Sequence, residues 1–128
     1  MMSNLRSPLS IAKGHGSAGE GTHHFWVQRV TAVALVPLVL WFSFSLAMMP
    51  TASYATVVDW MQSPFNSVML ILTIFASFYH LALGLQVIIE DYVSNTNIRM
   101  FSILIMKLLC FFFAALGIFS VIKIAVGG

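Results

Sequence analysis

No charged side chain interrupts residues 60–89, WMQSPFNSVMLILTIFASFYHLALGLQVII, and this run decides the fold. A helix rises about 1.5 Å per residue, so about 20 apolar residues cross a bilayer hydrocarbon core of about 30 Å. The run is therefore predicted to contain a membrane-spanning helix. His80 lies near the middle of that helix. An imidazole at that depth is costly unless it pairs with another group or binds one.

The rest of the chain has the same apolar character. Of its 128 residues, 59% are hydrophobic and 8% are charged, and the mean hydropathy is +0.94. Soluble domains carry about 25% charged residues, so a water-soluble domain is excluded. We expect an all-α membrane protein in which residues 23–128 form a three-span anchor domain, with transmembrane helices at about 25–49, 65–90 and 98–126. Residues 1–22, rich in Gly and Ser, are predicted to form a flexible cytoplasmic arm.

The segments between the spans carry their own signals. Thr22 is the predicted N-cap of the first span. The connector between Pro50 and Pro64 is predicted to carry an interfacial aromatic belt and a short surface helix. Positive charges occur before and at the start of the first span and in the second loop, but not in the first loop. The positive-inside rule then predicts a cytoplasmic N-terminus, and we expect the bacterial inner membrane rather than the mitochondrial one.

Several classes of function are excluded by what the sequence contains. A net charge of +2 is too small and too dispersed to predict nucleic-acid binding. The single cysteine, Cys110, allows no intrachain disulfide and no cysteine metal cluster. The sequence has no Gly-rich nucleotide loop either. We therefore expect this chain to bind neither FAD nor an iron–sulfur cluster.

The polar and small residues of the second span share one helical face with His80. At about 100° per residue, Gly84 falls near +40° from His80 and Asp91 near +20°. We call this face the polar stripe, and it contains Asn66, Thr73, Ser77, His80, Gly84 and Asp91. Such a face is predicted to contact protein or a bound group, whereas the opposite face contacts lipid.

Two interpretations of His80 follow from the stripe. In the first, the imidazole forms a hydrogen bond with a neighbouring helix and Gly84 allows that helix to approach closely. In the second, His80 is an axial ligand of a haem iron, and Gly84 and Ser77 leave room for the flat macrocycle. The other histidines all precede the first span, so a second axial ligand would have to come from another subunit. The chain would then form half of a haem-binding bundle.

Two segments carry a resemblance to a known family. They are HHFWVQRVTAVALVPL at residues 23–38 and FYHLALGLQVIIEDYV at residues 78–93. Both resemble the smaller membrane-anchor subunit of succinate dehydrogenase, respiratory Complex II. The resemblance implies that His80 is an axial ligand of haem b and that the other membrane-anchor subunit of the complex supplies the second ligand. It further implies partnership with an iron–sulfur subunit and a flavoprotein subunit.

The same resemblance implies roles at the edge of the membrane. Tyr92 would donate a hydrogen bond to a ubiquinone carbonyl, and Asp91 would orient the neighbourhood and help deliver protons. Arg29 would lie near the haem propionates and the quinone pocket, as could His23. Anchoring at the membrane interface is the alternative for Arg29 and His23, and membership of the aromatic belt is the alternative for Tyr92.

Two other functions compete with a succinate dehydrogenase anchor. A fumarate reductase anchor would work with a low-potential quinone in the reverse direction. A non-redox three-span protein would use His80 for packing or proton relay. The reduced-minus-oxidised absorption spectrum of the purified complex separates the redox interpretations from the last one.

Overall fold

The computed structural model describes the backbone of residues 17–128 and the side chains of residues 21–128. It contains four helices in this part of the chain: α1 (Ser17–Ala47), α2 (Tyr54–Gln62), α3 (Pro64–Tyr92) and α4 (Thr96–Ala125). Three of them, α1, α3 and α4, are long and apolar enough to cross a membrane. The all-α fold with three transmembrane helices is therefore confirmed.

The start of the first helix differs from the prediction. Helix α1 begins at Ser17, so Thr22 lies inside the helix and does not cap it. Residues 1–16, most of the predicted arm, lie outside the described residues. The other predicted boundaries agree with the structure within two residues, because Pro64 starts α3 and Asn95 caps α4.

The connector between the first two spans contains the predicted surface helix, α2. Its N-cap is Ser53, whose hydroxyl accepts a hydrogen bond from the backbone N–H of Thr56 at 3.2 Å. Trp60 of α2 stacks on Trp41 of α1, with ring centroids 5.6 Å apart and an interplanar angle of 22°. Offset aromatic pairs of this kind are favourable beyond the area that they bury. This ring pair links α2 to α1, while the backbone of α2 packs against α3 and α4.

A three-residue turn joins α3 to α4. The backbone N–H of Val93 donates to the carbonyl of Ile89 at 2.9 Å and closes α3. The side chain of Asn95 accepts hydrogen bonds from the N–H groups of Asn97 and Ile98 at 3.0 and 3.2 Å, which caps α4. These caps hold α3 and α4 as an antiparallel pair.

Helix α3 lies between the other two spans. It contacts α1 on one side and α4 on the other, whereas α1 and α4 do not touch each other within residues 17–128. The three spans therefore form an open layer with few buried residues, which are Leu38, Ser67, Leu70, Ala76, Met106, Cys110 and Val121 among those described. Apolar side chains exposed on this layer face lipid or another subunit at little cost.

Candidate functional site

His80 lies on the face of α3 that packs against α1. Its ring Nδ1 is 3.0 Å from the Oγ1 atom of Thr31. The Thr31 hydroxyl also donates to the carbonyl oxygens of Val27 and Gln28, each at 2.9 Å. A hydroxyl has one hydrogen and two lone pairs, so Thr31 can donate within its own helix while it accepts from His80. This network favours the imidazole tautomer with its hydrogen on Nδ1.

The other ring nitrogen of His80, Nε2, keeps its lone pair in that tautomer. It makes no hydrogen bond to any residue of the described part of the chain. A histidine that binds a metal through one nitrogen usually donates the hydrogen of the other to a neighbour, which fixes the ring. His80 therefore forms a hydrogen bond with a neighbouring helix, as the first interpretation expects. The same hydrogen bond leaves Nε2 free to bind a haem iron, as the second interpretation requires.

The donor set at this position is a single imidazole. Among residues 21–128 there is no group of three or more His, Cys, Asp or Glu side chains that could hold a metal ion. A haem iron differs from such an ion because its porphyrin supplies four ligands and the protein supplies only axial ones. His80, oriented by Thr31, fits the role of one axial ligand.

Gly84 lies next to α1 one turn beyond His80. A Cβ atom built on Gly84 would be 3.8 Å from Nε2 of Gln28, which is an ordinary van der Waals contact. An alanine would therefore fit against α1, so the contact with α1 does not itself require a glycine. Ser77, the other residue predicted to pack against a haem, is half-buried.

Asp91 and Tyr92 end α3 and are both exposed, with Tyr92 84% accessible. Consecutive helical residues are about 100° apart, so Asp91 continues the polar stripe whereas Tyr92 lies on a different face. Along the axis, Tyr92 is about 18 Å from His80. The structure does not bring the predicted quinone residues and His80 into one pocket of this chain.

Arg29 and His23 are exposed near the start of the first span. The guanidinium carbon of Arg29 is 4.8 Å from the centroid of the Phe25 ring, a cation–π distance. Arg29 forms no ion pair with any residue that the structure describes. Its charge is thus available to an anionic group from outside this part of the chain.

His24 is the polar residue whose placement sequence reasoning missed. It is half-buried, and its Nε2 atom is buried without a hydrogen-bond partner among the described residues. His24, Gln28 and Thr31 are spaced i, i+4 and i+7, so they share one face of α1. That spacing is visible in the sequence and could have distinguished His24 from the exposed His23. We call the contact of this face with His80 and Gly84 the α1–α3 seam.

Comparison with known proteins relates most of the chain to one family. Residues 3–116 match the family described as succinate dehydrogenase/fumarate reductase transmembrane subunit. The match includes most of the N-terminal arm and much of the third span, neither of which belongs to the segments 23–38 and 78–93. The resemblance inferred from those two segments is confirmed.

Individual relatives agree with the family match. The succinate dehydrogenase hydrophobic membrane anchor subunit of Rickettsia conorii is 34% identical over 111 residues, which are 86% of this chain and 88% of the relative. The protein of the same description from Rickettsia felis is 36% identical over 111 residues, with the same coverage. That of Paracoccus denitrificans is 33% identical over 86 residues, 67% of each chain. The chain therefore belongs to the family of succinate dehydrogenase/fumarate reductase transmembrane subunits, as a hydrophobic membrane anchor.

Proposed function

We propose that this membrane anchor serves a succinate:ubiquinone oxidoreductase in three ways. It holds the complex in the membrane, supplies His80 as one axial ligand of haem b, and contributes Tyr92 and Asp91 to the site of ubiquinone reduction. Electrons from succinate oxidation would reach the quinone through a flavoprotein subunit and an iron–sulfur subunit. The chain alone is not expected to be active.

The hydrogen bond between Thr31 and His80 is the observation that carries the haem assignment. It fixes the ring plane from the neighbouring helix and leaves Nε2 as the nitrogen with a free lone pair. When bound, the haem supplies a one-electron carrier within the membrane. Gly84 and Ser77 would then line the macrocycle beside His80.

The open arrangement of the spans supports a shared site. Helices α1 and α4 do not meet within residues 17–128, so the flanks of α3 are not enclosed by this chain. The other histidines within the spans, His23 and His24, lie at the start of α1, about 10 Å or more along the helix from Thr31, the residue that contacts His80. A second membrane-anchor protein, the partner anchor, would complete the bundle and supply the other axial ligand.

Tyr92 and Asp91 suit a quinone site at the membrane edge. Quinone reduction takes two electrons and two protons, and a phenol can donate a hydrogen bond to a developing quinol oxygen while a carboxylate exchanges protons with water. Both side chains are exposed, which leaves them accessible to groups from other subunits. Arg29 and His23 are both exposed near the start of α1. They would bind the haem propionates or line the quinone pocket.

The haem assignment is tested by the spectrum of the purified complex. We expect His80→Ala to abolish or strongly change the reduced-minus-oxidised b-type signal, because an axial ligand is lost. Thr73→Ala is the matched control, since it shortens another side chain of the polar stripe, whose hydroxyl donates to the Met69 carbonyl of its own helix. An unchanged signal in His80→Ala would refute the assignment.

The quinone assignment needs a separate measurement. We expect Tyr92→Phe to lower succinate:ubiquinone turnover by about 10²-fold, the lower limit for loss of a positioned proton donor. Electron transfer to a soluble dye that bypasses the quinone site should stay normal, as should assembly of the complex. Tyr54→Phe serves as the control. Tyr54 is also strongly exposed, and it begins α2, near the end of α3 opposite to Tyr92.

The direction of the reaction is open to a direct comparison. The family description includes fumarate reductase, whereas the relatives from Rickettsia and Paracoccus are succinate dehydrogenase subunits. Faster turnover with ubiquinone than with a low-potential quinone would support the proposed direction. The reverse preference would favour a fumarate reductase.

A further inference from the structure

A groove runs between α3 and α4 on the side of α3 away from His80. It has a volume of about 500 Å³ and is lined by Phe75, Phe78, Tyr79 and Ala82 of α3 and by a facing strip of α4. The four α3 residues lie at least about 100° around the helix from His80. The groove is thus separate from the proposed haem and quinone residues.

The shape of the groove comes from small side chains between large ones. Ala82 of α3 and Ala114 and Ala115 of α4 leave space along the helix pair. Phe75 and Phe111, which are 56% and 76% exposed, stand on either side of that space. From Lys107 to Ile122, the lining of α4 extends for about 22 Å at the rise of a helix. An acyl chain of one leaflet spans about 15 Å, half of the hydrocarbon core, so the groove can hold its whole length.

Lys107 is the one charged residue of the lining. It forms no ion pair with the described residues. The carboxylate of Glu90, toward the end of α3, accepts a hydrogen bond from Gln86 at 2.9 Å. An ammonium group at the end of an apolar groove, without a protein counter-charge, is complementary to a ligand with an apolar tail and an anionic head.

The depth of Lys107 agrees with a phosphate at the membrane surface. Helix α4 has 30 residues and is about 45 Å long, so a centred helix extends about 8 Å beyond the hydrocarbon core at each end. The Lys107 backbone, about 17 Å from the helix start, then lies about 9 Å below that boundary. Helical side chains point toward the N-terminus of their helix, and a lysine extends its ammonium to the interface. The ammonium would therefore lie just below the boundary of the hydrocarbon core, where the phosphate of a lipid held in the groove can pair with it.

We propose that this groove binds one anionic phospholipid, with an acyl chain between α3 and α4 and its phosphate paired with Lys107. Anionic lipids are attracted to basic sites between membrane helices. A helix of the partner anchor is the other conceivable occupant. That helix would have to bury Lys107 without a known counter-charge, and the shared haem site would require the partner on the opposite side of α3.

The purified complex tests the proposal by native mass spectrometry. The complex is stripped of lipid and incubated with phosphatidylglycerol or with phosphatidylcholine of the same acyl chains. We expect the wild type to retain phosphatidylglycerol preferentially. Lys107→Gln should reduce that preference about fivefold, the effect of one lysine near an anionic surface. Lys123→Gln, the other lysine of α4, should leave it unchanged because Lys123 is outside the groove.

A steric variant tests the acyl chain independently of the charge. Ala115→Phe should fill the groove and reduce retention of both lipids, whereas Leu116→Phe, at the adjacent exposed position outside the lining, should not. Equal lipid preference in the wild type and Lys107→Gln would overturn the proposal. Loss of the partner anchor from the Ala115→Phe complex would identify the groove as a protein interface and would also overturn it. Neither result depends on the haem spectrum, so the proposed function stands or fails separately.

Discussion

The two long interfaces of α3 differ in chemistry. Toward α1, the α1–α3 seam contains polar side chains, including the pair His80 and Thr31 with Nδ1 and Oγ1 at 3.0 Å. Toward α4 the contact is close and apolar, and a Cβ atom on Gly117 would lie 3.4 Å from side-chain carbons of Ile74. Packing holds membrane helices together, and polar groups between them mark functional sites. We therefore assign structural support to the α4 side and chemistry to the α1 side.

Overpacking the α4 side should have the largest effect on stability. Gly117→Leu places new atoms against Ile74, and overpacking typically costs about 1–3 kcal/mol. We expect a lower thermal midpoint of the purified complex, with the haem spectrum of the remaining folded fraction unchanged. A normal midpoint combined with an altered spectrum would reverse the assignment of the two interfaces.

Removing the hydroxyl that orients His80 should affect the haem more than the fold. We expect Thr31→Val to weaken haem retention about 10-fold, as is typical when a group that orients a metal ligand is lost. Haem occupancy of the purified complex measures it. Thr73→Val is the matched control, because the Thr73 hydroxyl lies on the polar stripe but donates to the Met69 carbonyl. Equal losses in both variants would show that the Thr31 contact has no special role.

Whether His24→Leu lowers or raises the stability of the complex tests the surroundings of His24. Buried polar atoms are seldom left without partners, so assembly is expected to supply a hydrogen-bond partner for His24 Nε2. His24→Leu should then destabilise the complex by about 1 kcal/mol, measured by thermal or denaturant unfolding. His23→Leu, at an exposed position, should have a smaller effect. A more stable His24→Leu complex would mean that no partner is supplied.

Gly84→Ala has the smallest expected effect on stability. Its haem absorption spectrum distinguishes the two interpretations of Gly84. Gly84→Ala adds a Cβ at an ordinary 3.8 Å from Gln28, so the free energy of unfolding should rise by only about 0.5 kcal/mol, the lower end of the helix-propensity difference between alanine and glycine. If Gly84 packs against the haem, the absorption spectrum or haem content should change nevertheless. An unchanged spectrum would show that neither the haem nor the contact with α1 requires a glycine at this position.

The spans were predictable because their signal is long and strong. A run of 30 residues without charge leaves little choice of fold, and Pro64 and Asn95 mark helix starts by local chemistry. The start of α1 at Ser17 was missed because glycines such as Gly19 and Gly21 disfavour a helix. Intrinsic propensity was a poor guide to this boundary.

The helical face that carries His80 was predictable from the sequence, but the contacts of His80 were not. Helical periodicity placed His80 on a face toward protein, and the structure puts α1 there. Its partner Thr31 could not be named in advance, because the contact depends on the register between two helices. Tyr92 and Asp91 stay predictions, since residues from other subunits would complete their surroundings.

The short turn between α3 and α4 has a consequence for biosynthesis. Three residues, 93–95, separate the two helices, and the caps at Val93 and Asn95 use only neighbouring residues. This pair can therefore form as a hairpin through local contacts soon after both spans enter the bilayer. The Thr31–His80 contact joins residues 49 positions apart and must wait for α1 to dock. If haem binds at His80 as proposed, its insertion follows the docking of α1, so immature chains should accumulate without haem rather than without folded spans.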